Sequence, residues 1–427
     1  MDIFIVGLSK SQMEHFRDVR QRQMCIRDSY YIIANANHLI KGGQNILAND
    51  AELSENDKAY INHYVGQAYF SRAYAYFELA LHYCKNYDPA SAGSDYGIPL
   101  VTEYAPSSDY SKYPGRSSLK ETFDFIVKDL EQASNLVGIQ GEAQSAYITL
   151  DVVEALKARV YLEMEDYQNA AAAAQGLINS KRYTLISDGD AYKKMWLNDV
   201  GTEAIWQFAM SKTETGSNAL GSSFMGIVDK LPRPSYLPVK SVLNLYDKEN
   251  DIRYDAYFTT GLIDRQVGDD IEVTYCSKWP GNPELYEGKS NNVNKLKAFR
   301  ISEMYLIAAE AYAMLNQEDK ASEMLNELKK IRIKGWTETV YNGAALMQEI
   351  QDERVRELFA EGNRLFDMKR WKIGMKRSSS DAQRDDYLPA LGTDIEKEAT
   401  DNRWVWPIPK DEMDSNPQLK GQQNPGY

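Results

Sequence analysis

A repeated apolar spacing between Phe299 and Ile331 constrains the fold of this chain more than any other feature of its sequence. In its first half apolar residues recur at steps of three and four, the helical period: Ile301, Met304, Tyr305, Ala308, Ala311, Tyr312 and Leu315. After the short polar turn Asn316-Gln317-Glu318-Asp319, a second run follows: Ala321, Met324, Leu325, Leu328 and Ile331. Two amphipathic helices joined so closely bury their apolar faces against each other. The sequence therefore predicts an antiparallel helix hairpin.

The stretch from Thr149 to Tyr183 repeats part of this pattern. Ala158 stands three residues before Tyr161, and an alanine follows nine residues later at position 170. The second copy has the same spacing: Ala309, Tyr312 and Ala321. A small residue at a helix crossing, an aromatic ring one turn on and an alanine in the partner helix are typical of tetratricopeptide hairpins. The copies are not contiguous, so we expect scattered helix pairs and not a regular array.

A third helix is predicted from Glu353 to Trp371. One side carries apolar residues, and the other alternates acids with arginines. At helical spacing Asp352 reaches Arg356 and Glu361 reaches Arg364, and such pairs contribute about 0.2–0.5 kcal/mol each. We therefore interpret these charges as structural and not as acid–base chemistry.

Further helices are predicted at 60–83 and after Ser118, which forms a capping box with Glu121. Between residues 186 and 297 the helical period mostly lapses, apart from a short strand at 203–210 and a hairpin tip at 268–270. So long an irregular stretch is usually functional. The predicted fold is mostly α, with tetratricopeptide-like helix hairpins as a scaffold and a loop-rich irregular lobe that carries short strands.

Residues 1–29 are polar and lack a clean period, so we expect a foreign or disordered leader there. The remaining chain, 30–427, is predicted to be one domain. Its parts are a helical scaffold (30–185 and 298–375), the irregular lobe (186–297) and a C-terminal wrap (376–427).

Composition excludes several classes of function. A net charge of -13 over 427 residues argues against a nucleic-acid partner, which needs a basic surface. The cysteines lie far apart and the histidines show no metal-ligand spacing, so we expect no disulfide framework, metal or cofactor. No apolar run reaches the ~18 residues of a membrane span.

Aromatic residues in the irregular lobe are the candidate binding residues. The apolar C–H face of a sugar ring stacks on Trp or Tyr, while its hydroxyl groups need polar side chains alongside. Tyr275, Trp279 and Tyr286 lie in a polar loop with Asn282, Asn291 and Asn292, and Tyr236 is a further candidate between Pro234 and Pro238. Packing within the loops is the alternative for each ring, and the loop around Tyr96 and Tyr104 is the alternative site.

Several motifs occur together, in order, between about residue 30 and residue 427. They are Tyr31-x-x-x-Asn35, GRSSLKETFDFIVKDLEQA, ALKARVYLEMEDYQNA, NDIRYDAYF, FRISEMYLIAAEAY, ERVRELFAEGNRLFDMKRW and the terminal PIPKDE with QNPGY. In these motifs the chain resembles the SusD/RagB family, the glycan-binding surface lipoproteins of Bacteroidetes outer membranes. The resemblance implies a non-catalytic protein that captures an oligosaccharide and delivers it to a SusC-like TonB-dependent transporter, on which it sits as a lid.

The start of the chain departs from that family, whose members carry a secretion signal and a lipid-anchored cysteine. Cys25 follows Arg22-Gln23-Met24 with no apolar region, so it does not resemble an anchor. We expect that the anchor is missing and that the protein lies on the extracellular face of the outer membrane.

Two alternatives remain open. One is a cytoplasmic tetratricopeptide scaffold that binds peptides. The other is an α-helical glycoside hydrolase, which needs two carboxylates facing each other at roughly 5–9.5 Å.

Overall fold

A computed structural model describes residues 13–214, 220–228, 231–265, 268–288, 290, 292–384 and 396–427. Helices predominate in these ranges, which confirms the predicted fold class. The first part of the scaffold contains α1 (Met13–Asn49), α2 (Glu55–Tyr83), α3 (Leu119–Leu136), α4 (Leu150–Glu163) and α5 (Tyr167–Ser180). None of the helices described is long and apolar enough to cross a membrane.

The lobe follows α5 and consists of short elements. They are α6 (Gly189–Leu197), β1 (Ala204–Gln207), α7 (Leu220–Met225), β2 (Ile227–Val228), β3 (Leu231–Pro232), α8 (Lys240–Leu243), α9 (Ile252–Tyr257), β4 (Phe258–Ile263) and β5 (Ile271–Cys276). β1 confirms the predicted strand. β4 and β5 form an antiparallel hairpin from Phe258↔Cys276 to Ile263↔Ile271, with the predicted tip between them.

The second part of the scaffold returns through one more strand. It contains β6 (Lys297–Arg300), α10 (Ile301–Met314), α11 (Glu318–Arg332), α12 (Gly343–Glu357) and α13 (Arg364–Arg370). The C-terminal wrap then carries β7 (Met375–Lys376), β8 (Glu396–Lys397) and α14 (Lys410–Ser415). β6 pairs antiparallel with β1, so the lobe is joined to the scaffold at the start of α10.

The scaffold helices pack as hairpins around one apolar core. α2 lies between α1 and α3, and α10 packs against both α5 and α11. Buried side chains from all of these helices meet there: Ile33, Phe77, Leu130, Leu156, Leu177, Ile307 and Leu325. The four alanines of the repeated pattern are fully buried, which confirms that small residues occupy these helix contacts: Ala158, Ala170, Ala309 and Ala321.

Local signals set the helix starts. The Ser118 Oγ accepts the backbone N–H of Glu121 at 3.1 Å, and the Glu121 carboxylate accepts the Ser118 N–H at 2.8 Å. This is the predicted capping box. A second box begins α2, where Asp57 N donates to Ser54 Oγ at 3.2 Å.

Two predicted boundaries differ in the structure. α1 begins at Met13, so the domain boundary predicted at residue 30 falls inside a helix, and Ile26 is buried in the scaffold core. Residues 1–12 lie outside the described ranges. The predicted helix 353–371 is also broken: α12 ends at Glu357 and α13 begins at Arg364. Ala360 and Gly362 between them have φ of 57° and 86°, a left-handed backbone that a helix cannot contain.

The C-terminal segment packs back on the end of α2. Buried Arg116 donates to the carbonyl oxygens of Gly97 (2.7 Å), Tyr83 (2.9 Å) and Gln422 (3.0 Å), and to Asn424 Oδ1 at 2.7 Å. Asn424 also donates to the Tyr83 carbonyl oxygen at 2.9 Å. One guanidinium group therefore fastens the tail to α2 and to the loop before α3.

Candidate functional site

A buried ionic network joins the lobe to the scaffold, with Glu357 at its centre. Its Oε1 accepts from Arg300 and Arg332, each at 2.8 Å, and its Oε2 accepts from Arg253 and Arg332, each at 3.0 Å. The three arginines come from α9, β6 and α11, and their side chains are at most 1% exposed. Four separate segments are thus tied together at one carboxylate.

Further carboxylates complete the network. Arg253 also contacts Asp251 and Glu353, and Arg332 contacts Glu203. Burial by itself raises the pKa of Glu357, but the guanidinium groups of Arg332, Arg300 and Arg253 overcome it and hold that pKa well below its ordinary value. In Glu353 burial is likewise outweighed, by Arg253 and Arg356, and the pKa falls to about 2. These acids are therefore charged and fully engaged.

Charged residues of the predicted third helix belong to this network, and their partners differ from those that helical spacing predicts. Glu353, Arg356 and Glu357 are buried, and the expected partner of Arg356 is replaced by Glu353, whose Oε2 accepts from Nε at 2.6 Å. These charges are buried because arginines from segments distant in sequence pack against them and neutralise them. Spacing within one helix carries no signal of such partners.

Trp279 is buried beside the network, contrary to the expectation of an open ring. It is 3% exposed, its Nε1 donates to the Ala360 carbonyl oxygen at 3.1 Å, and its ring meets Trp196 edge-on at 5.2 Å. The neighbouring Lys278 Nζ lies 4.1 Å from the centre of the Trp196 ring. The indole is thus a core side chain, and neither of its faces is open for a sugar.

Tyr275 is also a core residue. It lies on β5, is 9% exposed, and packs in a small cluster with Leu237, Ile263 and Val273. Burial raises the pKa of its hydroxyl. The prediction of an open ring is wrong here too, because the alternation of β5 turns Tyr275 toward the lobe interior.

Tyr286 lies at the tip of a closed loop and is half-buried. The base of this loop is joined where Asn282 N donates to the Val293 carbonyl oxygen at 2.7 Å and Gly281 N donates to Asn294 Oδ1 at 2.8 Å. Exposed Glu284 and Glu287 precede and follow Tyr286 in this loop. A rigid base therefore presents a tyrosine among polar side chains.

The asparagines expected beside these rings do not face a ligand. Asn282 donates to Asp199 Oδ2 at 2.8 Å and is 2% exposed, and Asn292 is 5% exposed. Asn291 lies outside the described residues. In their place Lys212 reaches the tip, with its Nζ 3.2 Å from Glu287 Oε1.

Tyr236 is half-buried next to α7, with its ring 6.2 Å from that of Phe224. α7 also approaches the Trp279 loop, because a Cβ at Gly221 would lie 2.1 Å from the Trp279 carbonyl oxygen. Of the four predicted rings, Tyr236 and Tyr286 thus keep an accessible part, while Trp279 and Tyr275 support the lobe from within.

The loop before α3 carries tyrosines that are more exposed. Tyr96 and Tyr104 are 44% and 42% exposed, and Tyr110, which no pattern in the sequence indicates, is 57% exposed. Each ring has one neighbour that holds it: Arg116 lies over Tyr96 at 5.1 Å, His38 meets Tyr104 at 4.9 Å, and Tyr113 meets Tyr110 at 5.4 Å. These rings belong to the alternative candidate site predicted around Tyr96 and Tyr104.

The acidic sequence Asp188-Gly189-Asp190 has a structural function. Asp188 Oδ1 accepts the Ala191 N–H at 2.8 Å and caps α6. Across the described ranges no cluster of acidic, histidine or cysteine side chains has metal-binding geometry.

Two protein-family models match this chain, one toward each end. A family model described as "SusD family" matches residues 269–427, and one described as "Starch-binding associating with outer membrane" matches residues 10–162. SusD-like protein P38 of Formosa agariphila is 25% identical over 407 residues, covering 84% of this chain and 74% of that protein.

Solved structures agree. A SusD superfamily protein from Bacteroides thetaiotaomicron superposes with a TM-score of 0.76 at 26% identity, covering 93% of this chain and 84% of the other. Surface glycan-binding protein A from Bacteroides fluxus superposes with a TM-score of 0.65 at 22% identity, with 93% and 84% coverage. The second likeness concerns the fold alone.

Proposed function

Because the chain belongs to the SusD/RagB family, we propose that it binds a carbohydrate at the outer face of the outer membrane and passes it to a SusC-like TonB-dependent transporter. The observation that carries this function is the pair of family matches, one of them to a starch-binding description, over residues 10–162 and 269–427. A lipid anchor of the family type would hold the protein at the membrane.

The tip of the lobe is the proposed contact with the sugar, through Tyr286 and secondarily Tyr236. In a half-buried ring, packing against one face fixes the orientation, and the other face is available for stacking on a sugar. Exposed Glu284 and Glu287 beside Tyr286 supply acceptors for sugar hydroxyl groups. Trp279 and Tyr275 then act indirectly, by supporting the segments that carry these rings.

The proposal assigns no bond cleavage to this protein. A glycosidase needs one carboxylic acid that holds a proton near neutral pH. The carboxylates at the centre of the molecule have the opposite character, because Glu353 and Glu357 are held ionised by arginines. Neither of these two acids is therefore suited to be the proton donor, and the absence of glycan turnover by the purified protein is the expectation that follows from the proposal.

Calorimetric titration with starch oligosaccharides and a panel of other glycans tests the site. We expect Tyr286→Ala to weaken binding several-fold or more, by analogy with aromatic base stacking worth about 1–3 kcal/mol. Tyr286→Phe retains the stacking face and should bind nearly as the parent does. Tyr31→Ala is the matched control, since Tyr31 is 71% exposed on α1, away from the lobe.

The outcomes separate the candidate surfaces. If Tyr286→Ala and Tyr236→Ala bind normally while Tyr104→Ala or Tyr110→Ala does not, the site lies on the loop before α3. If no glycan of the panel binds the parent protein, the proposed function is wrong. Co-purification with a TonB-dependent transporter from native outer membranes tests the delivery step.

A further inference from the structure

Asp199 lies at the base of the loop that carries Tyr286, and its carboxylate is fully buried. Its Oδ2 accepts from Asn282 Nδ2 at 2.8 Å and from the Lys295 backbone N–H at 3.0 Å. Its Oδ1 accepts from Lys297 Nζ at 2.8 Å, and both side chains of this ion pair are 0% exposed. Because Asn282 precedes Tyr286 and Lys295 follows it, one carboxylate binds both ends of the loop.

The backbone of Asp199 is itself held in place. Its carbonyl oxygen accepts from Gln144 Nε2 at 2.6 Å and from Gln207 Nε2 at 3.1 Å. Gln207 belongs to β1, which pairs with β6 at the start of α10. The φ of Asp199 is 56°, a left-handed backbone that Asp and Asn adopt more readily than most other residues. The carboxylate therefore has a defined position relative to the strands that join lobe and scaffold.

Asn282 connects this carboxylate to the segment that carries the ring. Its Oδ1 accepts the Glu284 N–H at 2.9 Å, and its carbonyl oxygen accepts the Leu285 N–H at 2.9 Å. These two bonds close the single turn Pro283–Leu285, which ends at the residue before Tyr286. The side chain of Leu285 is 3% exposed, so the turn is also anchored by packing. The path from Asp199 to the backbone of Tyr286 thus passes through one asparagine and one hydrogen-bonded turn.

We propose that Asp199 is a positioning residue for glycan binding: it holds Tyr286 in the orientation that stacks on a sugar and does not contact the sugar itself. The inference rests on the proposed function, because it concerns the same ring. A binding side chain that is ordered before the ligand arrives loses less conformational entropy on binding. A buried carboxylate suits this task, since it accepts from both ends of the loop at once while Lys297 balances its charge.

Asp199→Asn tests the inference first without any ligand. The variant removes the charge of the carboxylate and one acceptor oxygen, while asparagine tolerates the same left-handed backbone. We expect hydrogen exchange in a peptide covering residues 282–288 to be faster than in the parent, because the turn before Tyr286 opens more often. The melting temperature should fall as well, since Lys297 is left buried without its counter-charge.

Calorimetric titration with maltoheptaose and laminariheptaose then measures the effect on binding. Asp199→Asn should lose about fivefold or more in affinity for the heptasaccharide that binds the parent. The loss should not exceed that of Tyr286→Ala, because Asp199 acts only through this ring. For the same reason, Asp199→Asn added to Tyr286→Ala should cause no further loss of affinity, a non-additivity that a general loss of stability does not produce.

Asp129→Asn is the matched control. Asp129 and Arg72 form a buried ion pair at 2.7 Å within the scaffold, with side chains 2% and 6% exposed. The same chemical change there should lower the melting temperature but leave the exchange of residues 282–288 and the glycan affinity unchanged. If Asp199→Asn does not fold, Asn282→Ala replaces it, because this variant breaks the same link and leaves the ion pair of Asp199 with Lys297 intact. It should show the same faster exchange and the same loss of affinity.

The possible failures are distinguishable. If exchange of residues 282–288 is unchanged in Asp199→Asn, the carboxylate does not order the loop and the inference is wrong, although Tyr286 can still bind glycan. If exchange rises but affinity is retained, or if affinity falls equally in the Tyr286→Ala background, Asp199 does not act through this ring and the inference is again wrong. If neither heptasaccharide binds the parent, there is no such contact for Asp199 to position and the inference falls, whereas the proposed function falls only if the whole glycan panel fails.

Discussion

Replacing Glu357 with Gln should destabilise the protein more than almost any other exchange that preserves size. The carboxylate accepts hydrogen bonds from Arg253, Arg300 and Arg332, all of them buried. Glutamine keeps one acceptor oxygen but turns an N–H₂ group toward guanidinium donors. Removing one partner of a buried ion pair costs about 3–5 kcal/mol, because the remaining charge is uncompensated.

Urea unfolding at neutral pH measures this loss, as a shift of the midpoint at constant slope. Glu396→Gln is the matched control, since it makes the same chemical change in the exposed pair with Lys376 at 3.2 Å, where about 0–1 kcal/mol is expected. A loss for Glu357→Gln no larger than that of the control would refute the view that this carboxylate joins lobe and scaffold. A large loss confined to lobe signals would show that the scaffold folds without it.

Two further predictions concern the stability of the protein at low pH and the core of the lobe. The pKa of Glu353 is lowered from 4.5 to about 2, so its ionised form stabilises the fold above pH 4.5, and this contribution of about 3 kcal/mol is lost as the pH falls toward 2. Urea midpoints measured down this pH range should therefore drop less steeply in Glu353→Gln than in the parent, and parallel curves would contradict the assignment. Trp279→Ala should lower the free energy of unfolding by about 3–5 kcal/mol, as large-to-small core changes do. An unchanged urea midpoint with weakened glycan affinity would instead restore Trp279 as a binding residue.

The scaffold can be predicted from sequence because its signals are local. The Ser118 capping box lies within four residues, and the buried alanines at 158 and 309 each have their matching tyrosine one turn away. The lobe has no period long enough to show which side of a ring faces inward, so its pattern wrongly predicts an open Trp279. Glu357 and Arg253 are 104 residues apart, and the sequence around each residue contains no signal that predicts their contact.

The sequence does contain a signal for the exposed rings of α2. The buried stripe of this helix includes four residues at helical spacing: Tyr69, Ala73, Tyr76 and Ala80. Extended toward the start of the helix at the same period, the stripe passes between Tyr60 and Tyr64 and includes neither. The period alone therefore leaves both rings outside the core pattern. Aromatic residues outside the buried stripe of a helix are more informative about function than those within it.

The contacts of Arg116 bear on the order in which the protein can be completed during synthesis. Its acceptor Asn424 follows it by 308 residues, whereas Gly97 and Tyr83 precede it closely. A contact so distant in sequence forms late, because the intervening chain must first be ordered. Until the tail arrives, a buried cation at the end of α2 lacks two of its acceptors. The end of α2 and the loop before α3 thus reach their final state only after residues 422–424 have been made, and a chain terminated before them carries its defect around Arg116.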